Sequence, residues 1–178
     1  MGRCGGNGNG SVNTSGVAIF GYSLIISFWR SVMDKLRATI ELVDDKVTFQ
    51  GSTRNNTTVK MDYFPPVGNG EGYTGLELLL VSLAGCSATS VVSMLRKMKA
   101  EITAFHVEAE GDRVETHPTV LSKIRLHFSV TSPNATQEQV IKAIQLSEET
   151  YCPVWAMLKG TCEISSTWSL QAQKEDIV

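Results

Sequence analysis

Between Thr74 and Lys99 the chain leaves almost no face for water. Leu76, Leu78, Leu79, Leu80, Val81, Leu83 and Ala84 follow one another too closely to form the single apolar stripe of a surface helix. A helix apolar on nearly all sides has to be buried, and in a chain of 178 residues an interface between subunits is a natural place for it. Thr74 and Glu77 form a T-x-x-E capping box at the start of the run. Arg96, Lys97 and Lys99 complement the helix dipole at its far end. The span corresponds to about seven turns. Ser82, Gly85 and Ser87 interrupt it, so no unbroken run of membrane-spanning length occurs and a spanning helix is not expected.

The segments around this helix alternate as strands do. Residues 37–43 and 46–51 flank Asp44-Asp45, which predicts a tight hairpin turn. A second turn at 52–56 leads to a short third strand over 57–62. Pro65, Pro66, Gly68, Gly70 and Gly72 then make a loop. After the helix, Phe105, Val107 and Ala109 alternate with His106, Glu108 and Glu110 until Gly111-Asp112 breaks the run. Ile124, Leu126, Phe128 and Val130 alternate with Lys123, Arg125, His127 and Ser129. Both read as half-buried antiparallel strands. Thr136 and Gln139 form a second capping box, opening a helix to about Tyr151. Pro153 starts a short helical turn ending near Gly160, and a last strand places Cys162, Ile164 and Trp168 on one face. The order β-β-β-α-β-β-α-α-β defines an α+β fold with helices on an antiparallel sheet.

Residues 1–32 differ in kind. Met1 to Gly16 is rich in Gly, Asn and Ser, and Val17 to Trp29 is apolar but interrupted by Gly21, Ser23 and Ser27. This stretch reads either as an appended leader ahead of a start at Met33 or as a targeting segment. Residues 33–178 then form one domain. Sixteen Lys+Arg against eighteen Asp+Glu supply no basic surplus for a phosphate backbone, so no nucleic-acid partner is expected. Four cysteines are too few for a disulfide-stapled secreted scaffold, and a cytoplasmic location is expected.

Two of those cysteines are candidates for chemistry. Cys86 lies in Ala84-Gly85-Cys86-Ser87-Ala88, where small neighbours let a substrate approach the sulfur. Cys152 lies in Tyr151-Cys152-Pro153-Val154. Proline favours the first helical position, so Cys152 is expected at the N-cap of the next turn. A thiol there faces the positive end of the helix dipole, a setting that makes cysteines reactive. The alternative is that both are small buried hydrophobes. Cys162 reads as packing, and Cys4 falls in the leader. His106, His117 and His127 lack zinc-ligand spacing with the cysteines, so no metal is expected. No phosphate-cradling glycine motif follows a strand, and no other cofactor is implied.

The run from Gly75 to Ala88 (GLELLLVSLAGCSA) resembles the cysteine helix of the OsmC/Ohr family, the osmotically inducible and organic hydroperoxide resistance proteins. Glu148 to Val154 (EETYCPV) resembles that family's second cysteine motif. The separation of Cys86 and Cys152 and the element order also suit the family, over roughly residues 36–169. The resemblance implies an intertwined homodimer with antiparallel sheets packed on two long central helices. It implies that Cys86 attacks an organic hydroperoxide and becomes a sulfenic acid, that Cys152 resolves it as a disulfide, and that a dithiol reductant restores both, without metal or haem. The family's peroxidases also use an arginine from the N-terminal strands and a glutamate that follows a proline. Here Gly75 and Leu76 stand at those two places, and Glu77 comes one residue later, about 100° further round the helix. Glu77 is the candidate glutamate, unless it serves only the capping box. Arg54 is the candidate arginine, with Arg37 as the other choice. The alternative function is a non-peroxidatic relative that binds a small hydrophobic or thiol-reactive ligand at the dimer interface.

Overall fold

A computed structural model describes residues 35–54 and 56–172 of the chain. The segment 1–32, with Cys4, and the proposed start at Met33 lie outside the described residues. The elements run β1 (Thr39–Leu42), β2 (Phe49–Ser52), β3 (Val59–Met61), α1 (Gly75–Lys97), β4 (Ala104–Arg113), β5 (Leu121–Thr131), α2 (Gln137–Leu146), a π-helical turn (Ser147–Tyr151), α3 (Pro153–Leu158) and β6 (Glu163–Gln171). They form the expected α+β fold, with strands in two sheets.

The first sheet is antiparallel in the order β1-β2-β3. Its first connection is wider than the tight turn expected at Asp44-Asp45. The Val43 N–H reaches the Thr48 carbonyl at 2.9 Å. Inside that loop the Asp44 carboxylate accepts the backbone N–H groups of Lys46 at 3.0 Å and Thr48 at 3.2 Å. An aspartate that bonds to backbone ahead of it folds a longer loop in place of a two-residue turn. After β3, Asp62 organises the Pro/Gly loop. Its buried carboxylate accepts the N–H groups of Tyr63 at 2.7 Å, Asn69 at 3.1 Å and Glu71 at 3.1 Å. Burial pushes this carboxyl up, but the three backbone bonds outweigh it and hold the group below the ordinary carboxylate range. Among the described residues the sheet packs extensively on no other element. Ile40, Leu42, Tyr63, Phe64 and Val67 remain exposed on it and on its following loop.

The second sheet has the order β4-β5-β6. β4 and β5 are antiparallel as expected, but β6 lies parallel to β5, so this sheet is mixed where an antiparallel one was expected. The physical reason is the connection: α2, the π-turn and α3 carry the chain back along the sheet before β6 begins, and such a crossover delivers a parallel strand. β4 also continues through Gly111 and Asp112 to Arg113, where a strand end was expected. A Cβ at Gly111 would meet the Leu121 side chain at 2.7 Å. The glycine is therefore a place of close packing inside the strand.

Ile124, Leu126, Phe128 and Val130 of β5 point inward, each no more than 1% exposed. They join Leu83, Val91 and Leu95 of α1 and Val140, Ala143 and Ile144 of α2 in one core. Both capping boxes form: Glu77 accepts the Thr74 N–H at 2.7 Å, and Gln139 accepts that of Thr136 at 3.0 Å. By length and composition α1 could cross a membrane, with a mean hydropathy of 2.0 over 18 residues. Unbroken apolar runs do not reveal this, because the serines and threonine within the helix carry no charge and leave its mean hydropathy high. Here α1 is the central helix on which β4, α2 and α3 pack. Its buried stripe is Leu83, Ser87, Val91 and Leu95, while Val81 on another face is 57% exposed.

Candidate active site

Cys86 and Ser87 occupy consecutive positions near the middle of α1. The opposing wall is the segment after α2. There the helix widens into the π-turn, a form frequent at functional sites, and the Cys152 N–H closes on the Ser147 carbonyl at 2.9 Å. Pro153 then starts α3 with Cys152 as its N-cap, as the Cys-Pro order predicts. The cap is the sulfur itself: the Trp155 N–H donates to Cys152 Sγ at 3.3 Å. A second donor arrives from the facing helix, where Ser87 Oγ donates to the same sulfur at 3.5 Å.

Cys86 lies beside this sulfur and toward the Val154 N–H. Burial pushes the Cys86 thiol up, the neighbouring Cys152 adds to that, and the Val154 N–H opposes it in part. The two cysteines differ in access: Cys152 is 2% exposed and Cys86 is half-buried. Both are free thiols, as is Cys162. An accessible sulfur next to a concealed one, whose sulfur accepts two hydrogen bonds, is an arrangement that can oxidise to a disulfide when the accessible partner is activated.

Among the described residues, none of the other candidates bonds to either thiol. Glu77 is exposed and engaged in the capping box. Nine residues separate it from Cys86, which on a helix means about 13 Å of rise and the opposite face. Arg54, with φ of 53°, sits in the turn between β2 and β3, and Arg37 precedes β1. They flank the same end of the first sheet, where the Thr53 hydroxyl donates to the Arg37 carbonyl at 2.8 Å. Cys162 packs on the core just ahead of β6, its thiol donating to the Leu158 carbonyl at 3.7 Å. His127 bonds to Thr167 at 2.8 Å and Ser169 at 3.3 Å, while His106 and His117 are exposed. Among the described residues no three His, Cys, Asp or Glu side chains converge.

An apolar cavity of about 250 Å³ opens between α1 and β5, lined by Leu76, Leu79, Leu121, Ile124, Leu158 and Cys162. Leu79 precedes Cys86 by two turns on the same face of α1, about 10 Å along the axis. Neither Ser87 nor the backbone N–H of Trp155 stands out in the sequence as a site residue. A hydroxyl at the buried centre of an otherwise leucine-rich helix was the available signal for the first. A backbone donor leaves no signal of its own.

A sheet-and-helix body with one cysteine on its central helix and a second on a capped turn against it belongs to the OsmC/Ohr class of folds. The family model described as "OsmC-like protein" matches residues 68–167, and this chain belongs to that family. Protein YhfA of Escherichia coli strain K12 is 30% identical over 139 residues, which cover 77% of this chain and 99% of that protein. The crystal structure of a hypothetical protein from Aquifex aeolicus VF5 matches with a TM-score of 0.71 at 26% identity, over 80% of this chain and all of that one. An organic hydroperoxide resistance protein from Elizabethkingia anophelis matches with a TM-score of 0.60 over 78% of this chain and 98% of its own. At 15% identity that likeness is one of fold.

Proposed function

We propose that this chain is a thiol-dependent peroxidase that reduces organic hydroperoxides in defence against oxidative stress. The observation that carries the reading is the bond from Ser87 to the concealed sulfur of Cys152, which brings the half-buried Cys86, one residue earlier on α1, to the same contact. Cys86 attacks the hydroperoxide and becomes a sulfenic acid, Cys152 displaces hydroxide to form the disulfide, and a dithiol reductant restores both. The apolar cavity two turns along α1 suits the organic tail of such a substrate. We place the reaction in the cytoplasm, where thiols are kept reduced.

The working form is a homodimer. Among the described residues, Ile40, Leu42, Phe64 and Val67 expose an apolar surface on a sheet that packs on few other elements, and α1 leaves Val81 uncovered. A second subunit would bury these faces and could carry Arg54 or Arg37 toward the thiol pair. Sedimentation should give a dimer at micromolar concentration; a folded monomer would overturn this arrangement.

The test of activity is to add excess cumene hydroperoxide to the reduced protein and count free thiols. Rapid loss of two thiols per chain, restored by a dithiol, is the expected result. Unchanged thiols would favour a second reading, supported by the same apolar cavity: a non-peroxidatic protein that binds a small hydrophobic or thiol-reactive ligand. The Cys152→Ser variant should react once and then progress to sulfinic acid, because no second thiol traps the sulfenic acid. Mass spectrometry of the treated variant checks this, and a stable Cys86–Cys162 disulfide would refute the pairing.

A further inference from the structure

Few polar contacts fasten the segment that carries Cys152. Among the described residues, two side-chain hydrogen bonds tie Ser147–Cys152 to other elements: Ser87 Oγ donates to Cys152 Sγ, and the Ser166 hydroxyl donates to Glu148 Oε1. Oxidation of the cysteine pair would affect them differently. The first ends on a sulfur that gains a covalent partner. The second involves no reacting atom and can persist through the whole cycle.

Ser166 is out of keeping with its neighbours on β6. Ile164, Trp168 and Leu170 pack on the core. Ser166 stands among them on the same face of the strand, opposite the buried Leu126 of β5. A hydroxyl on an apolar face costs stability unless it finds a partner. The partner is Glu148, half-buried in the π-turn and four residues ahead of Cys152. The bond therefore joins the core face of a strand to the turn that presents the concealed cysteine.

We infer that Glu148 and Ser166 are positioning residues, whose hydrogen bond holds the π-turn on β6 and so fixes where Cys152 stands for its reaction with Cys86. This rests on the peroxidase reading above and adds to it the contact that sets how readily the pair closes. In the resolving step the Cys152 sulfur attacks the sulfur of the Cys86 sulfenic acid. The S–S bond forms, the S–O bond breaks, and the oxygen leaves as water with the proton of the Cys152 thiol. Neither Glu148 nor Ser166 gives or takes an atom. Their effect is one of orientation: a segment already in place loses less freedom when the two sulfurs join.

The test measures the effective concentration of one thiol toward the other, without peroxide. The full chain carrying Cys4→Ser and Cys162→Ser is equilibrated in mixtures of reduced and oxidised glutathione. Oxidised glutathione takes two electrons and two protons from Cys86 and Cys152, which gives the protein disulfide and two molecules of reduced glutathione. Alkylation and mass spectrometry read the disulfide fraction. Ser166→Ala and Glu148→Ala should each lower the effective concentration about fivefold, the weight of one net hydrogen bond. The double variant should fall no further than either alone, because both substitutions remove the same bond. Glu148→Gln keeps an acceptor for the Ser166 hydroxyl and should stay at the parent value. An unchanged equilibrium in the alanine variants, additive losses in the double variant, or a fall in Glu148→Gln equal to that in Glu148→Ala would overturn the inference. Should one alanine variant not fold, the other is judged against Glu148→Gln by the same criteria. A protein that answers as expected in glutathione yet leaves cumene hydroperoxide intact would refute the peroxidase reading alone. Peroxide turnover with an equilibrium indifferent to these substitutions would remove the inference alone.

Discussion

Replacing Cys86 with serine is expected to abolish hydroperoxide turnover while leaving the protein folded. The substitution changes one atom at a half-buried position on α1, and serine is close to cysteine in size. The chemistry depends wholly on that atom. A serine hydroxyl is not ionised at neutral pH and has no sulfenic acid to form, so the O–O bond meets no nucleophile. Loss of a nucleophile costs several orders of magnitude in rate when catalysis runs through a covalent intermediate. Consumption of cumene hydroperoxide under dithiol regeneration measures it, with thermal unfolding as the control. Turnover at the parent rate in Cys86→Ser would remove Cys86 from the mechanism.

The largest effect on stability is expected at Phe128. Its ring is fully buried on β5 and meets the Phe105 ring with centroids 6.3 Å apart. It shares the core with Leu83, Val91 and Leu95 of α1 and with Val140 of α2. Phe128→Ala removes most of a ring from a site walled by a sheet and two helices, which can collapse only in part. The expected loss is about 3–5 kcal/mol, a large share of the roughly 5–15 kcal/mol that holds a domain of this size together. A shift of the denaturant midpoint without a change of slope checks it. A loss below about 1 kcal/mol would mean that the core around β5 is packed otherwise.

Much of this arrangement could be read in advance where the cause is local. The two capping boxes, at Thr74/Glu77 and Thr136/Gln139, form as their spacing requires. The alternation from Ile124 to Val130 faces the core, and the Cys-Pro order puts Cys152 at an N-cap. Long-range features were harder. Nothing within β6 tells it to lie parallel to β5, since the crossover decides that. Gly111 looks like a strand breaker unless the Leu121 side chain that packs against it is known. Glu77 fits two roles by sequence, and the helix geometry engages it in the cap, away from Cys86 within the chain. The bond from Ser87 to Cys152 joins elements 65 residues apart, and no local pattern announces it.

The π-turn between α2 and α3 has a consequence for how this segment can vary over evolution. A π-turn holds one residue more than the α-helical turn it replaces. Because the π-turn closes on the fifth residue where an α-turn closes on the fourth, removing one residue from Ser147–Tyr151 would let the helix resume its usual pitch with Cys152 still directed at α1. A second deletion would find no spare residue to take up and would swing Cys152 by about 100°, turning the sulfur away from α1. Relatives that keep the thiol pair can therefore differ by one residue in the length of this stretch but not by two.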